Sequence, residues 1–308
     1  MILVGPPSRP NGLALWWAGA RPRTLGAALV PVAVGTATAV GNSNAMQWWR
    51  AALALLVALA LQVGVNFAND YADGVRGTDG AERTGPLRLV GSGLVSPVLV
   101  KRAALASFAV AGVAGLVLAV DMGPELLLLG ALCLVAGWTY TGGPKPYGYH
   151  GLGELFVFLF FGLVATVGSN YVITESLDPL AVAASIVVGI WATALLVVNN
   201  LRDLDGDAAV GKITLAVRLG DARTRRMFIA LQVIAMLVAV SITLVTSRLA
   251  IFALLGLPLI VQTIRSLHRG AKGAELIAVL VTTAQLQLVS GLAMAGGIAL
   301  SVEPFWSP

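Results

Sequence analysis

Asn66, Asn69, Asp70 and Asp73 stand at the spacing i, i+3, i+4 and i+7, and Asn200, Asp203 and Asp207 repeat that pattern far along the chain. On a helix such spacing puts side chains on one face. Each segment then presents amides beside two carboxylates. Asp205 is two residues from both Asp203 and Asp207, so helical geometry points it elsewhere. Asp79 follows Gly74 and Gly77, where a break would fold it back over the first stripe. Grouped carboxylates suit a hard divalent cation. Magnesium is commonly held through one or two of them and completes its shell with water and substrate phosphate oxygens. Amides such as Asn66, Asn69, Asn199 and Asn200 orient the carboxylates and fill remaining positions. Two such stripes predict one shared site that holds metal against a polyanion such as a diphosphate. Capped helix ends are the competing reading, but caps do not need amide and carboxylate pairs repeated on two helices.

The elements that position these stripes are long and apolar. The 308-residue chain is 57% apolar and 11% charged, with a mean hydropathy of +0.86. Soluble domains carry about 25% charged residues, so a soluble fold is excluded. A carboxylate costs about 2.5–3.5 kcal/mol at the centre of a membrane helix, which makes acidic clusters at the ends of apolar runs informative. Nine stretches have the character of membrane helices: Thr24–Val40, Trp49–Asn69, Leu99–Val120, Leu126–Tyr140, Leu152–Thr174, Leu180–Asn200, Arg226–Val245, Leu249–Leu267 and Ile277–Ser301. Counting from a cytoplasmic N-terminus, the outer segments carry only Arg50 and Arg248 of the 20 Lys and Arg. That sorting predicts an all-α, polytopic bundle of nine transmembrane helices, with the C-terminus outside and both acidic motifs facing the cytoplasm. The expected organisation is one integral membrane domain over residues 1–308, with 1–12 as a flexible, uncleaved tail. Cys133 lies alone in an apolar run, which leaves no disulfide or zinc site. The sequence pI near 9.7 follows from the cytoplasmic basic loops and does not require nucleic acid. Abundant Ala, Val and Arg with only four Lys point to a GC-rich bacterial genome, hence to the bacterial inner membrane.

A diphosphate also needs cations. Arg76, Arg88, Arg202, Lys212 and Arg218 lie near the motifs, and Lys145 lies in another cytoplasmic loop. Arg would make bidentate contacts and Lys would act as a point charge; topology setting alone is the bland alternative. The loop from Tyr140 to Glu154 packs Tyr140, Lys145, Tyr147, Tyr149 and His150 among glycines and prolines. It reads as a pocket wall with aromatic faces for a cation or a planar ring, or as an interfacial aromatic belt.

The residues also resemble a known family. Asn69-Asp70-x-x-Asp73 is similar to the first aspartate signature of the UbiA superfamily of intramembrane prenyltransferases, and Asp203-x-x-x-Asp207 to the second. The stretch from Asn199 to Gly220, the Ala20-Arg-Pro-Arg-Thr-Leu25 segment, and Tyr140-Thr-Gly-Gly-Pro144 with Gly151-Leu-Gly-Glu-Leu-Phe156 resemble the 1,4-dihydroxy-2-naphthoate polyprenyltransferase branch. Asp73 and Asp79 are six residues apart, where many superfamily members have four; the longer form resembles the naphthoate branch.

The resemblance implies a nine-helix bundle and magnesium-dependent transfer of a polyprenyl chain from its diphosphate to 1,4-dihydroxy-2-naphthoate, with loss of carbon dioxide. Asp70, Asp73, Asp79, Asp203 and Asp207 would hold magnesium, and Asn66, Asn69, Asn199 and Asn200 would support them. Arg76, Lys145, Arg202 and Lys212 would meet the diphosphate. Tyr140, Tyr147 and Tyr149 would line the reacting centre, and the lipid bilayer would receive the donor's tail. The nearest rival is a sister enzyme with another aromatic acceptor such as 4-hydroxybenzoate. A rival of another class is a cation transporter, but that predicts acidic residues in mid-span rather than at one face.

Overall fold

The computed structural model describes residues 12–40, 46–78, 87–245 and 248–301. Among these residues every regular element is helical. Helix α1 (Gly12–Ala20) is joined to α2 (Gly26–Ala39) by a 3-10 turn, Pro22–Thr24, and α3 (Trp48–Arg76) follows. Next come α4 (Pro97–Met122) and α5 (Glu125–Thr139). A π-helical stretch, Phe158–Val164, splices α6 (Gly153–Val157) to α7 (Ala165–Thr174). Helix α8 (Pro179–Arg202) is followed by the short α9 (Leu204–Ala209) and α10 (Leu215–Leu219), then by α11 (Asp221–Val245). A 3-10 segment, Arg248–Gly256, leads into α12 (Leu257–His268), and α13 (Ala274–Leu300) completes the described chain.

All nine predicted apolar stretches become helical. Seven of the resulting rods are long and apolar enough to cross a membrane. The other two, α2 with 14 residues and α5 with 15, are shorter. At 1.5 Å per residue they reach only about 21–23 Å, against a hydrocarbon thickness of about 30 Å. Two features depart from the expected boundaries. Helix α3 continues past its apolar stretch to Arg76 and stops where Gly77 adopts φ 72°, its amide bonded back to Asp73 and Gly74. Asn66, Asn69, Asp70 and Asp73 therefore all sit on one helix. Helix α1 is unanticipated; it is held to α3 by an edge-to-face contact of Trp16 on Phe67, with ring centroids 5.7 Å apart.

Helix α8 occupies the middle of the bundle. Its apolar window is 78% buried, whereas no other crossing exceeds 44%. Trp191, Val187 and Val188 of α8 pack with Val30 and Val34 of α2, Ala235 and Ala239 of α11, and Met294 of α13. The π-helical stretch meets α8 backbone to backbone, and a Cβ on Gly162 would come within 2.6 Å of Gly189 Cα. Small residues of this kind let membrane helices approach closely. The faces turned outward are apolar too: Val113 and Val120 of α4, Leu128 of α5, and Leu237 and Leu244 of α11 are exposed. That pattern suits lipid, where the backbone is satisfied within helices and apolar side chains face acyl chains. The chain is a multi-pass membrane protein.

Candidate active site

The four motif side chains of α3 do not converge on one point. Each residue advances about 100° around a helix, so relative to Asn66 the next three stand at about −60° (Asn69), +40° (Asp70) and −20° (Asp73). An arc that wide meets three neighbours. Buried Asn66 donates through Nδ2 to the carbonyl of Ala20 (2.8 Å) and to Thr24 Oγ1 (3.0 Å). Asp70, with 0% exposure, accepts the backbone amides of Leu89 (2.8 Å) and Val90 (2.9 Å), one on each carboxylate oxygen. Only Asn69 and Asp73 face the Tyr140–Glu154 loop: Asn69 Oδ1 accepts from Thr141 Oγ1 (2.7 Å) and Asp73 Oδ1 from Tyr149 OH (2.6 Å). The single stripe expected from spacing is corrected to three separate contacts. Asn66 anchors the turn before α2, and Asp70 clamps the turn before α4.

The second motif is broken as well. Helix α8 ends at Arg202, Asp203 leaves the helical conformation (φ −91°, ψ 4°), and α9 restarts beyond it. Asn200 donates to buried Glu154 Oε1 at 2.9 Å, which fixes the orientation of its amide. Arg202 lies along Asp203 with bonds of 2.8 and 2.6 Å and also reaches Asn199 Oδ1 at 3.0 Å. Its side chain is 1% exposed. Arg202 thus supports Asp203 and Asn199, while its Nη1 is buried without a hydrogen-bond partner and the residue lines the chamber described below. Asp207 is buried with Lys212 Nζ at 3.3 Å, and Asp205 is exposed, as spacing predicted.

Tyr149 joins the two motifs. It lies on a 3-10 turn, Tyr147–His150, with its hydroxyl on Asp73. Its ring sits between two cations, the Arg76 guanidinium at 5.1 Å and the Lys212 ammonium at 5.3 Å. Its carbonyl accepts the amide of Ile213 at 3.1 Å. Arg76 also donates to the carbonyls of Thr141 and Gly143, and Arg88 approaches Asp73 at 3.5 Å. Burial, reinforced by the charge of Asp73, pushes the Tyr149 phenol well above its ordinary pKa, so it remains a proton-bearing donor. Lys145 stands exposed on the same loop.

Among the described residues, no three His, Cys, Asp or Glu converge closely enough to hold a metal by themselves. The charges of Asp73 and Asp203 nonetheless both reach Asp207. Burial lifts the Asp207 carboxyl to about 6; Lys212 opposes the rise, and the charges of Asp203 and Asp73 add to it. Asp207 Oδ2 is buried without a hydrogen-bond partner. An orphaned carboxylate oxygen beside other carboxylates fits a hard cation that takes few protein ligands and completes its shell with water and phosphate. Asp79 lies outside the described residues.

Beside this hub a chamber of about 920 Å³ runs between the helices. Its walls are apolar residues of α3, α4, α5 and the π-helical stretch, and one end carries Asn66, Asn69, Asn199, Arg202 and Tyr140. Tyr140, Tyr147, Phe156 and Phe160 form a ladder along it, with successive ring centroids 5.4, 4.1 and 6.0 Å apart. Two of the three expected tyrosines thus line the chamber, while Tyr149 belongs to the carboxylate hub. Gln62, Thr24 and Thr141 were not singled out from the sequence. The i−4 spacing of Gln62 from Asn66 was the signal available for one of them.

A membrane-embedded chamber whose wall carries amides and an arginine bonded to Asp203 defines an intramembrane enzyme for an amphipathic anion. The chain belongs to the UbiA prenyltransferase family, whose profile matches residues 28–300. It is 48% identical over 286 residues to the 1,4-dihydroxy-2-naphthoate octaprenyltransferase of Mycobacterium tuberculosis, covering 93% of this chain and 97% of that protein. The Escherichia coli protein of the same name is 35% identical over 302 residues, covering 93% of this chain and 95% of its own. Among solved structures, a UbiA homologue from Archaeoglobus fulgidus bound to DMAPP and Mg2+ superposes with a TM-score of 0.61 at 16% identity, over 91% of this chain and 99% of that one. An apo homologue from Aeropyrum pernix gives 0.66 at 17%, over 89% and 97%. At these identities the superpositions speak for the fold alone.

Proposed function

We propose that this protein transfers a polyprenyl chain from polyprenyl diphosphate to 1,4-dihydroxy-2-naphthoate, releasing diphosphate and carbon dioxide and giving demethylmenaquinol, the reduced form of demethylmenaquinone. The observation that carries the reading is a roomy apolar chamber whose wall includes Arg202, bonded to Asp203, and Asn69, bonded to the loop that also holds Asp73, because the donor has the same two halves. The choice of acceptor is supported by relatives named for this reaction that align over nearly the whole chain. Asp70, Asp73, Asp203 and Asp207, with Asp79, would hold magnesium, which would supply positive charge to the oxygens of the departing diphosphate. Tyr149 orients Asp73, Glu154 orients Asn200, and Arg202 orients Asp203 and Asn199. Lys212, Arg76 and the exposed Lys145 are the cations for the diphosphate. The C1–O bond of the donor breaks with its electron pair going to diphosphate. The ring carbon that bears the carboxylate bonds to C1, and the carboxylate leaves as carbon dioxide, its bonding pair restoring the ring. The apolar chamber keeps water from the allylic cation.

The same reading has all nine helical segments crossing the membrane as one domain, with the N-terminus in the cytoplasm and the C-terminus outside. Its support is the gathering of Lys and Arg in the segments that also carry both motifs. The bacterial relatives support placement in the cell membrane, with the site facing the cytoplasm. The test is an assay of the protein in lipid with carboxyl-labelled 1,4-dihydroxy-2-naphthoate, a polyprenyl diphosphate and magnesium. Release of label together with a prenylated quinol, both abolished by chelator, is expected. Prenylation of 4-hydroxybenzoate with its carboxylate retained, and no label release, would overturn the acceptor.

A further inference from the structure

The chamber is long as well as apolar. On α5 its wall runs from Tyr140 back to Leu126, and along α6 and α7 it runs from Phe156 to Val172. At about 1.5 Å per residue these stretches are about 21–24 Å long. The head end carries Tyr140, Asn199 and Arg202. The far end carries Leu118, Leu126 and Val172, which pack in one hydrophobic cluster with Ala51, beside Arg50. An extended prenyl chain, with carbon–carbon bonds of about 1.5 Å, advances about 5 Å per five-carbon unit. The chamber therefore takes about four or five such units.

Five glycines line it: Gly112, Gly115, Gly130, Gly137 and Gly168. A Cβ on Gly137 would come within 3.2 Å of Val65 and 3.3 Å of Phe108, so packing explains that glycine. A Cβ on Gly130 or Gly168 would meet nothing within 4 Å. Both stand inside helices, where glycine is less favourable than alanine. Neither has the positive φ that calls for glycine, and no neighbour is close enough to require one. Helical spacing gives the direction in which they leave room. Leu126, Leu127, Cys133 and Leu134 stand at i−4, i−3, i+3 and i+4 of Gly130, and all four line the chamber. Val164, Ala165 and Val172 do the same at i−4, i−3 and i+4 of Gly168. Gly296 on α13 is equally unhindered, but it is exposed and lies outside the wall. The space kept free at Gly130 and Gly168 is thus chamber space. Gly130 is ten residues from Tyr140 and Gly168 twelve from Phe156, which sets both about 15–18 Å from the head end.

We propose that Gly130 and Gly168 determine which donor chain lengths this protein accepts, by keeping the chamber open beyond the third isoprene unit. The inference rests on the prenyl diphosphate reading of the site. The aromatic ladder from Tyr140 to Phe160 flanks the units nearest the diphosphate, and the two glycines admit those that follow.

The test is competition among donors of two, three, four and eight isoprene units, supplied together with the aromatic acid to the full-length protein in lipid nanodiscs, with products resolved by mass spectrometry. Gly130→Leu and Gly168→Leu should each lower kcat/KM for the four- and eight-unit donors, relative to the two-unit donor, by about 10- to 100-fold. Alanine at either position adds only the unhindered Cβ, so it should fold like wild type and shift the preference less. Unreactive thiolodiphosphate analogues of the same lengths, bound without any aromatic acid, should show the same cut-off. An unchanged length preference in folded leucine variants, or an equal loss at every length, would overturn the assignment and leave the prenyl diphosphate reading standing. A wild type that binds no analogue of any length would overturn that reading and the inference with it.

Discussion

The two ends of α3 both bury charge, and they do so differently. At one end Arg50, 8% exposed, lies between Asp121 at 2.6 Å and Glu175 at 2.7 Å, and also donates to the carbonyl of Val172. These short pairs tie together the ends of α3, α4 and α7. At the other end Arg88 stands 3.5 Å from Asp73, Lys212 stands 3.3 Å from Asp207, and one oxygen of Asp207 has no hydrogen-bond partner. Buried charge is tolerated when its partners are close and its hydrogen bonds are complete. The Arg50 cluster comes near that condition without a ligand. The Asp73–Asp207 hub does not, and a divalent cation with a polyanion would complete it. The Arg50 end closes on its own short pairs, whereas the other end has short bonds at Asp73 and Asp203 but leaves an oxygen of Asp207 without a hydrogen-bond partner.

Substitutions can break that contrast at either end. The largest effect is expected at the Asp73 end, where Asp73→Asn or Asp207→Asn should lower turnover by about a thousandfold or more with the melting temperature close to wild type. Paired turnover and thermal-unfolding measurements on the purified variants would check this. A large drop in melting temperature with turnover preserved would make the hub a structural cluster. Arg50→Ala should do the opposite. It should destabilise the protein by about 1–3 kcal/mol, the lower end reflecting the exposure of its partners, with turnover per folded molecule unchanged. Tyr149→Phe sharpens the contrast, since it removes only the hydroxyl that orients Asp73. A loss of about 10- to 100-fold in turnover or metal affinity is expected, read from a magnesium titration of activity. The smallest effect belongs to Lys212→Ala, which should raise the KM for the prenyl diphosphate by about tenfold while leaving that for the aromatic acid unchanged.

Much of this arrangement was legible before any coordinates, and the rest was not for identifiable reasons. The apolar stretches foretold the helices because a bilayer permits few other ways to satisfy a backbone. The i, i+3, i+4, i+7 spacing put Asn69 and Asp73 on one side of the helix, where both meet the Tyr140–Glu154 loop, but it could not reveal that the arc is wide enough to send Asp70 to Leu89 and Val90. Asp203 was read as part of a continuous helix, yet it sits at a break that local spacing does not signal. Proximity in sequence carries no direction, so it could not show that Arg202 lies along its own neighbour, Asp203, while also lining the chamber. Tyr149 was noticed for its company in a glycine-rich loop. Its role depends on contacts with Asp73, Arg76, Lys212 and Ile213, which come from distant parts of the chain and meet only in the folded bundle. Asn66 shows the same limit: its bonds to Ala20 and Thr24 reach into α1 and the turn after it, where no element beyond an apolar stretch was expected.

The central claim is that the Asp73 end of α3 holds a divalent cation and the Arg50 end does not. It is tested most directly by Mn2+ binding, followed by electron paramagnetic resonance with a non-reactive prenyl diphosphate analogue present, on wild type, Asp207→Asn and Arg50→Ala. The account predicts tight binding by wild type and by Arg50→Ala, and loss of the bound signal in Asp207→Asn. Wild-type Mn2+ affinity in Asp207→Asn, or its loss in a folded Arg50→Ala protein, would contradict it.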